Sequence, residues 1–207
     1  MIRFSIISFL VSVVLVSCST YKYPASSGIR AIDAKEVNTY YTDTSQAYVY
    51  RARLHAFKKE INGNLLVKNI HPDTHRIALV SDFGQTLFDI SVFPESHVVH
   101  YAMADLNKKR VVSEVASLFR ALTARRFATQ SLIFPAQQYF PVYVAETDYF
   151  VFEEQGLTEI KHTKGSKEHF VVRFEEIEED RPLQVKIAHK RFPIMLSLQL
   201  DKEQSVL

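Results

Sequence analysis

Hydrophobic and polar positions alternate along most of the chain from Tyr48 onward, the period of strands with one buried face. Tyr48, Tyr50, Ala52, Leu54 and Ala56 fall on one side of the first such stretch, with Arg51, Arg53 and His55 on the other. Asn62 and Gly63 read as the hairpin turn that follows, since both tolerate the positive φ such turns require, and Leu65 to Ile70 returns. Pro72 and Asp73 mark a second turn. Arg76 to Ser81 and Thr86 to Val92 form a pair around Asp82, Phe83, Gly84 and Gln85, and Val98 to Tyr101 adds one more strand. Beyond a loop holding Pro135 and Pro141, alternation predicts strands at Tyr149 to Glu153, Leu157 to His162, His169 to Phe174, Leu183 to His189 and Phe192 to Leu200. Val142 to Ala145 is a further short candidate.

The period changes between about Asp105 and Arg125, where Val111, Val112, Val115, Leu118, Phe119 and Leu122 recur at helical spacing. Lys108, Lys109, Glu114 and Arg120 occupy the other face, and Asp105 is the expected N-cap. Asp33 is read as the cap of a short helix reaching Tyr40 or Tyr41. Strands, one substantial helix and strands again predict a mainly β (α+β) domain: a curved antiparallel sheet forming a half-open barrel covered by the helix. Fifteen Phe and ten Tyr suit this, being strand-favouring aromatics, while Trp is absent.

The N-terminal stretch follows other rules. Arg3 precedes an apolar run from Phe4 to Val16, broken only by Ser5, Ser8 and Ser12. That is signal-peptide length, and short of the roughly 20 residues a spanning helix needs. Leu15, Val16, Ser17 and Cys18 resemble the bacterial lipobox, so residues 1–17 are expected to be removed and Cys18 to be lipidated. Residues 18–30, with Ser26, Ser27 and Gly28, then read as lipidated cysteine and tether, and residues 31–207 as a single domain. Cys18 is the sole cysteine, leaving no disulfide to form. Two or more acyl chains give stable anchoring. In the lipoproteins that share this motif an aspartate after the cysteine signals inner-membrane retention; Ser19 stands there instead, so the expected address is the periplasmic face of the outer membrane.

A net charge of +2 gives no electrostatic case for a nucleic-acid partner. Gly28 lies in the tether, and Gly63, Gly84, Gly156 and Gly165 fall between predicted strands, so no phosphate-cradling loop or nucleophile elbow is assembled. His71 with His75, and His97 with His100, read as surface or hydrogen-bonded histidines in preference to metal ligands. The run Glu175, Glu176, Glu178, Glu179 and Asp180 lacks calcium-loop spacing and reads as a solvated turn. Arg120, Arg125 and Arg126 suit a helix C-terminus better than lipid headgroups. No cofactor, metal or catalytic residue is assigned and no enzyme activity is expected. An acyl hydrolase would require a nucleophile and base brought together from separate strands.

The stretch RIALVSDFGQTLFDI, Arg76 to Ile90, resembles the strand, loop and strand of the LolB-type outer-membrane lipoprotein receptors, and PLQVKIAHKRFPIMLSLQL, Pro182 to Leu200, resembles their closing strands. The resemblance covers about Tyr48 to Leu200 and rests on order and spacing. It implies a half-open barrel around helices, with an apolar cavity for the acyl chains of lipoproteins delivered by a soluble periplasmic carrier. It also implies a protruding loop that enters the membrane. Phe83, where that family typically has leucine, occupies the matching position, with Gly84 beside it to permit the reversal. Two placements of Phe83 stay open: exposed and dipping into headgroups, or folded inward as a plug. Two functions follow, for a protein expected to be a monomer. One is an acceptor of lipoproteins or lipids; the other is a lipid-anchored interaction subunit of an envelope assembly with a filled core. An interior packed with the chain's own Phe, Leu and Tyr, with no apolar cavity or ready opening, would remove the basis for a carrier.

Overall fold

The structure, a computed structural model, describes residues 20–56, 58–135 and 140–205. Its strands are β1 (Gly28–Asn38), β2 (Ala47–Ala56), β3 (Lys59–His71), β4 (Thr74–Ser81), β5 (Thr86–Val92), β6 (His97–Ala102), β7 (Arg126–Ile133), β8 (Val142–Ala145), β9 (Asp148–Glu153), β10 (Gly156–Lys164), β11 (Lys167–Glu178), β12 (Arg181–His189) and β13 (Ile194–Leu200). The helix α1 (Lys109–Thr123) stands between β6 and β7. All the strands belong to one 13-stranded sheet in the order β1-β7-β8-β9-β10-β11-β12-β13-β2-β3-β4-β5-β6. Neighbours pair antiparallel, and β1 and β6 are the free edges. The expected architecture, a curved antiparallel sheet left open and covered by one helix, is the one observed.

Alternation sets which side chains face inward. Tyr50 and Ala52 of β2, Leu65 and Val67 of β3, Ile77 and Leu79 of β4, Phe170 and Val172 of β11, and Val185 and Ile187 of β12 are buried in one continuous core. Ala116, Phe119 and Leu122 from α1 join it, so the apolar stripe of the helix covers the inner face of the sheet. Each large side chain so buried stabilises the fold by about 1.5–3 kcal/mol. Buried hydroxyls pair inside the core, where the Tyr41 and Tyr50 hydroxyls lie 3.0 Å apart and Tyr50 donates to the Pro182 carbonyl at 3.0 Å, while the buried Asn69 Oδ1 has no hydrogen-bond partner.

The helix also spans the opening of the sheet. Arg120 donates from Nε to the Phe93 carbonyl and from Nη2 to the Ser96 carbonyl, both at 2.8 Å, reaching the β5–β6 turn. On the other side Asn38, at the end of β1, donates through Nδ2 to the carbonyls of Leu122 at 2.9 Å and Ala124 at 3.1 Å.

Several local expectations are corrected. Asp33 caps no helix but lies within β1, whose register against β7 shifts between Ala31 and Lys35 and again between Glu36 and Asn38. Those bulges erase the period of two that marks a strand. Asn62 and Gly63 do not turn; they lie within β3, opposite Arg53 and Ala52. Gly63 is needed for close approach: a Cβ there would sit 2.1 Å from the Val80 carbonyl oxygen of β4. Asp105 is not the N-cap; α1 begins after Lys108, which makes no side-chain capping bond. The strand β7 was not foreseen, and β1 opens inside the stretch read as tether. The turn at Pro72 and Asp73 stands as expected, with Asp73 at φ 60°.

Because pairing is antiparallel throughout, connections alternate between two rims. From β10 to β5, one rim carries the β10–β11 turn at Gly165, the β12–β13 turn at Lys190 to Pro193, the β2–β3 turn at Lys58, and the loop at 82–85. The opposite rim carries the turns at Pro72–Asp73, Glu154–Gln155 and Glu179–Asp180.

Candidate functional site

Among the described residues, the loop between β4 and β5 carries the most exposed large apolar side chain. Its closure is local: Ser81 N–H donates to the Gln85 carbonyl and Gly84 N–H to the Ser81 carbonyl, both at 2.9 Å. Gly84 adopts φ 75°, a conformation costly for any residue with a Cβ. Two clamps hold the loop to its neighbours. Asp82 N–H donates to the Asn62 carbonyl at 3.1 Å, and Arg51 donates to both carboxylate oxygens of Asp82, at 2.5 and 2.7 Å. Between these fixed points Phe83 is 98% exposed. Of the two placements open from the sequence, the outward one is realised. A phenyl ring left in water forfeits its burial energy, and a paired, conformationally restricted loop holds it there.

Cys18, the expected lipidation site, lies outside the described residues. The chain that follows it is nonetheless held to the sheet. Tyr21 donates to Glu168 Oε1 at 2.7 Å, and the Tyr21 and Tyr23 rings meet Tyr149 with centroids 5.3 and 5.4 Å apart. Leu132, Val142, Val144 and Tyr149 form a second small core beneath them. The Lys161 ammonium lies 4.8 Å from the Tyr23 ring centroid. Burial acts to lower the pKa of Lys161, but Tyr23, Glu159 and Glu168 outweigh it and hold the pKa above the usual value.

A polar cluster that the sequence did not reveal sits under the same side of the helix. His169 Nε2 is 2.6 Å from Glu114 Oε2, and His189 Nε2 is 3.8 Å from the same oxygen. The three groups have the composition of a metal site, but their hydrogen bonding does not fit one. His189 Nδ1 accepts the N–H groups of Arg191 at 3.0 Å and Phe192 at 3.2 Å. The neutral ring therefore carries its proton on Nε2, leaving no lone pair there for a cation. The cluster instead ties α1 to β11 through the Glu114–His169 bond, with the buried His189 Nε2 close by and making no hydrogen bond. His75 is buried and bonded through Nε2 to the Tyr41 carbonyl at 2.8 Å.

Ser91 Oγ and His100 Nε2 lie 2.8 Å apart. Their alternation places them on the outer face of β5 and β6, and neither lines the two cavities described below. The arginines after the helix pair locally, Arg125 with Glu36 and Arg126 with Glu146. The acidic run divides: Glu175, Glu176 and Glu178 lie in β11, and Glu179 and Asp180 form the turn.

The interior is filled by Tyr41, Tyr50, Phe150, Phe170, Leu65 and their neighbours, all essentially inaccessible to solvent. Cavities of about 330 and 140 Å³ lie elsewhere. The larger is lined by Glu153, Glu159, Arg173, Glu175 and Glu176 among others, the smaller by Arg120, Arg126, Glu146 and Asp148 among others. Neither is an apolar chamber.

No protein-family model and no curated protein matches the chain. Solved structures do resemble it. One is a LolA superfamily protein from Nitrosomonas europaea, with a TM-score of 0.48 at 11% identity, covering 80% of this chain and 87% of that one. Another is a DUF1329 family protein from Desulfovibrio piger, with a TM-score of 0.47 at 8% identity, covering 78% of this chain and 86% of that one.

Proposed function

We propose that this chain is a lipid-anchored, LolB-like protein that works at the surface of the outer membrane, where Phe83 enters the lipid and the domain helps place acylated cargo. The observation that carries this reading is Phe83 itself: an aromatic side chain 98% exposed on a loop clamped by Arg51 and Asp82. The lipobox-like run ending at Cys18, and the ordered Tyr21 three positions later, support attachment close to the domain.

Among the described residues the packed interior offers no preformed apolar chamber for cargo. Acyl chains gain about 0.8 kcal/mol per buried CH₂, but here they would enter only as α1 moves off the sheet. The same packing favours a second reading, a lipid-anchored interaction subunit of an envelope assembly that needs no cargo chamber. A transfer assay separates the two. Protein lacking the N-terminal lipid is mixed with a lipoprotein bound to its soluble carrier, and uptake is followed by co-purification. Uptake that Phe83→Glu leaves intact, with onward delivery to vesicles lost, supports the receptor. No uptake by the unmodified domain would leave the interaction subunit standing.

A further inference from the structure

Exposed turn cations without an ion pair gather on one rim of the domain, although the net charge is only +2. On the rim that bears Phe83, the turns contribute Lys58, Lys164, Lys167, Lys190 and Arg191, all exposed. None of these forms an ion pair among the described residues. The acids nearby are already engaged: Asp82 with Arg51, Glu60 with Arg53, and Glu168 with Tyr21. The opposite rim exposes Asp73, Glu154 and Asp180, with Glu179 paired to Arg181.

The start of α1 adds to the basic rim. Lys108, Lys109 and Arg110 are consecutive and exposed, no acidic residue occupies the first turn, and no side chain caps it. Cations there oppose the helix dipole, whose positive end already favours anions, so the arrangement costs helix stability and needs another reason. Arg110 lies over the Phe192 ring, 5.6 Å from its centroid, which joins the helix start to the Lys190–Pro193 turn. The N-terminal chain leaves from this side as well, since Tyr21 bonds to Glu168, the neighbour of Lys167. From Cys18 to Tyr21 the backbone spans at most about 11 Å.

We infer that this rim, formed by the turns at Lys58, Lys164–Lys167 and Lys190–Arg191 with the start of α1, is a binding face for anionic phospholipid headgroups. It rests on the reading of Phe83 as a membrane-facing residue and adds the chemistry of the surface. A bilayer fits better than another polyanion because the same rim presents an unshielded aromatic ring and the root of the lipid-bearing segment. Headgroup phosphates neutralise the turns while Phe83 passes between them into the acyl boundary. The acidic rim is repelled by the same surface, which stands the strands upright on the membrane.

The test is vesicle flotation with the chain from Ser19 onward, which contains the whole sheet and helix. Vesicles of phosphatidylglycerol are compared with vesicles of phosphatidylcholine, at low salt and at about 1 M salt, where charges are screened beyond roughly 3 Å. Binding is expected to phosphatidylglycerol only, and to be lost at high salt. Lys58→Gln/Lys190→Gln/Arg191→Gln lowers it on the order of a hundredfold, as each cation near an anionic surface contributes about a factor of five. Arg30→Gln/Arg173→Gln/Lys186→Gln, removing the same charge from mid-strand positions, leaves it within a few-fold. Equal, salt-independent binding to both vesicles that Phe83→Glu abolishes would overturn the anionic face and leave the role of Phe83 intact. Equal losses from the two triple variants, or tighter binding to heparin than to vesicles, would also overturn it.

Discussion

The guanidinium of Arg51 grips both oxygens of Asp82, one residue before a phenyl ring that is 98% exposed. A pair more than a third exposed on each side contributes at most about 1 kcal/mol to stability. Its consequence is geometric: it fixes the base of the loop so that Phe83 is presented without an ordering cost on contact. Asp82→Ala is therefore expected to change stability by less than about 1 kcal/mol while weakening vesicle binding severalfold. Urea denaturation and flotation measure the two effects, and a parallel loss of both would mean that the pair serves folding alone.

The chain contains no Trp, so Phe83→Trp gives a reporter with no background. The emission of this variant in buffer is expected to be that of a fully hydrated indole, shifting to the blue with anionic vesicles and quenched by lipids brominated near the headgroup. An emission already blue in buffer would show the side chain buried in solution.

Gly63→Ala tests the close approach of β3 and β4. With the Val80 carbonyl oxygen 2.1 Å from the added carbon, the strands must part, at a cost of about 1–3 kcal/mol. Gly84→Ala meets nothing within 4 Å and carries only the positive-φ penalty, about 1 kcal/mol. Chemical denaturation of both variants is expected to rank them in that order.

Much of this was legible in sequence and some was not, for identifiable reasons. Tyr48 to Ala56, Arg76 to Ser81 and Thr86 to Val92 declared themselves because one face of each is buried and the other wet. The bulges of β1 hide its period, and Gly63 reads as a turn residue because Asn-Gly satisfies turn chemistry as well as close packing. The loop of Phe83 could be located, but its direction could not, since exposure depends on Arg51, distant in sequence. Glu114, His169 and His189 come together only through the sheet. The basic rim draws single cations from separate turns, so no local charge run announces it.

Stability should fall in mild acid. Burial lowers the pKa of His75, and burial together with the charge of His169 lowers that of His189. Each ring then binds a proton more readily unfolded than folded, so stability is full above the ordinary histidine pKa of about 6.5 and declines as pH drops through the depressed folded values. Urea midpoints are expected to be lower at pH 5 than at pH 8. His75→Gln keeps a donor toward the Tyr41 carbonyl and removes one titration, so it should narrow that difference. An unchanged or wider difference would assign the acid response elsewhere.

Arg120 and Asn38 give the open sheet a mechanical character. They fasten the last turns of α1 to strands from opposite ends of the strand order, so the helix acts as a crossbar over a split cylinder. The first half of the helix is held to the sheet by fewer bonds, with Glu114 bonded to His169 alone beneath the basic rim. Any swelling of the interior would therefore begin at that end, like a door hinged at Arg120 and Asn38, and its opening would face the same surface that Phe83 addresses.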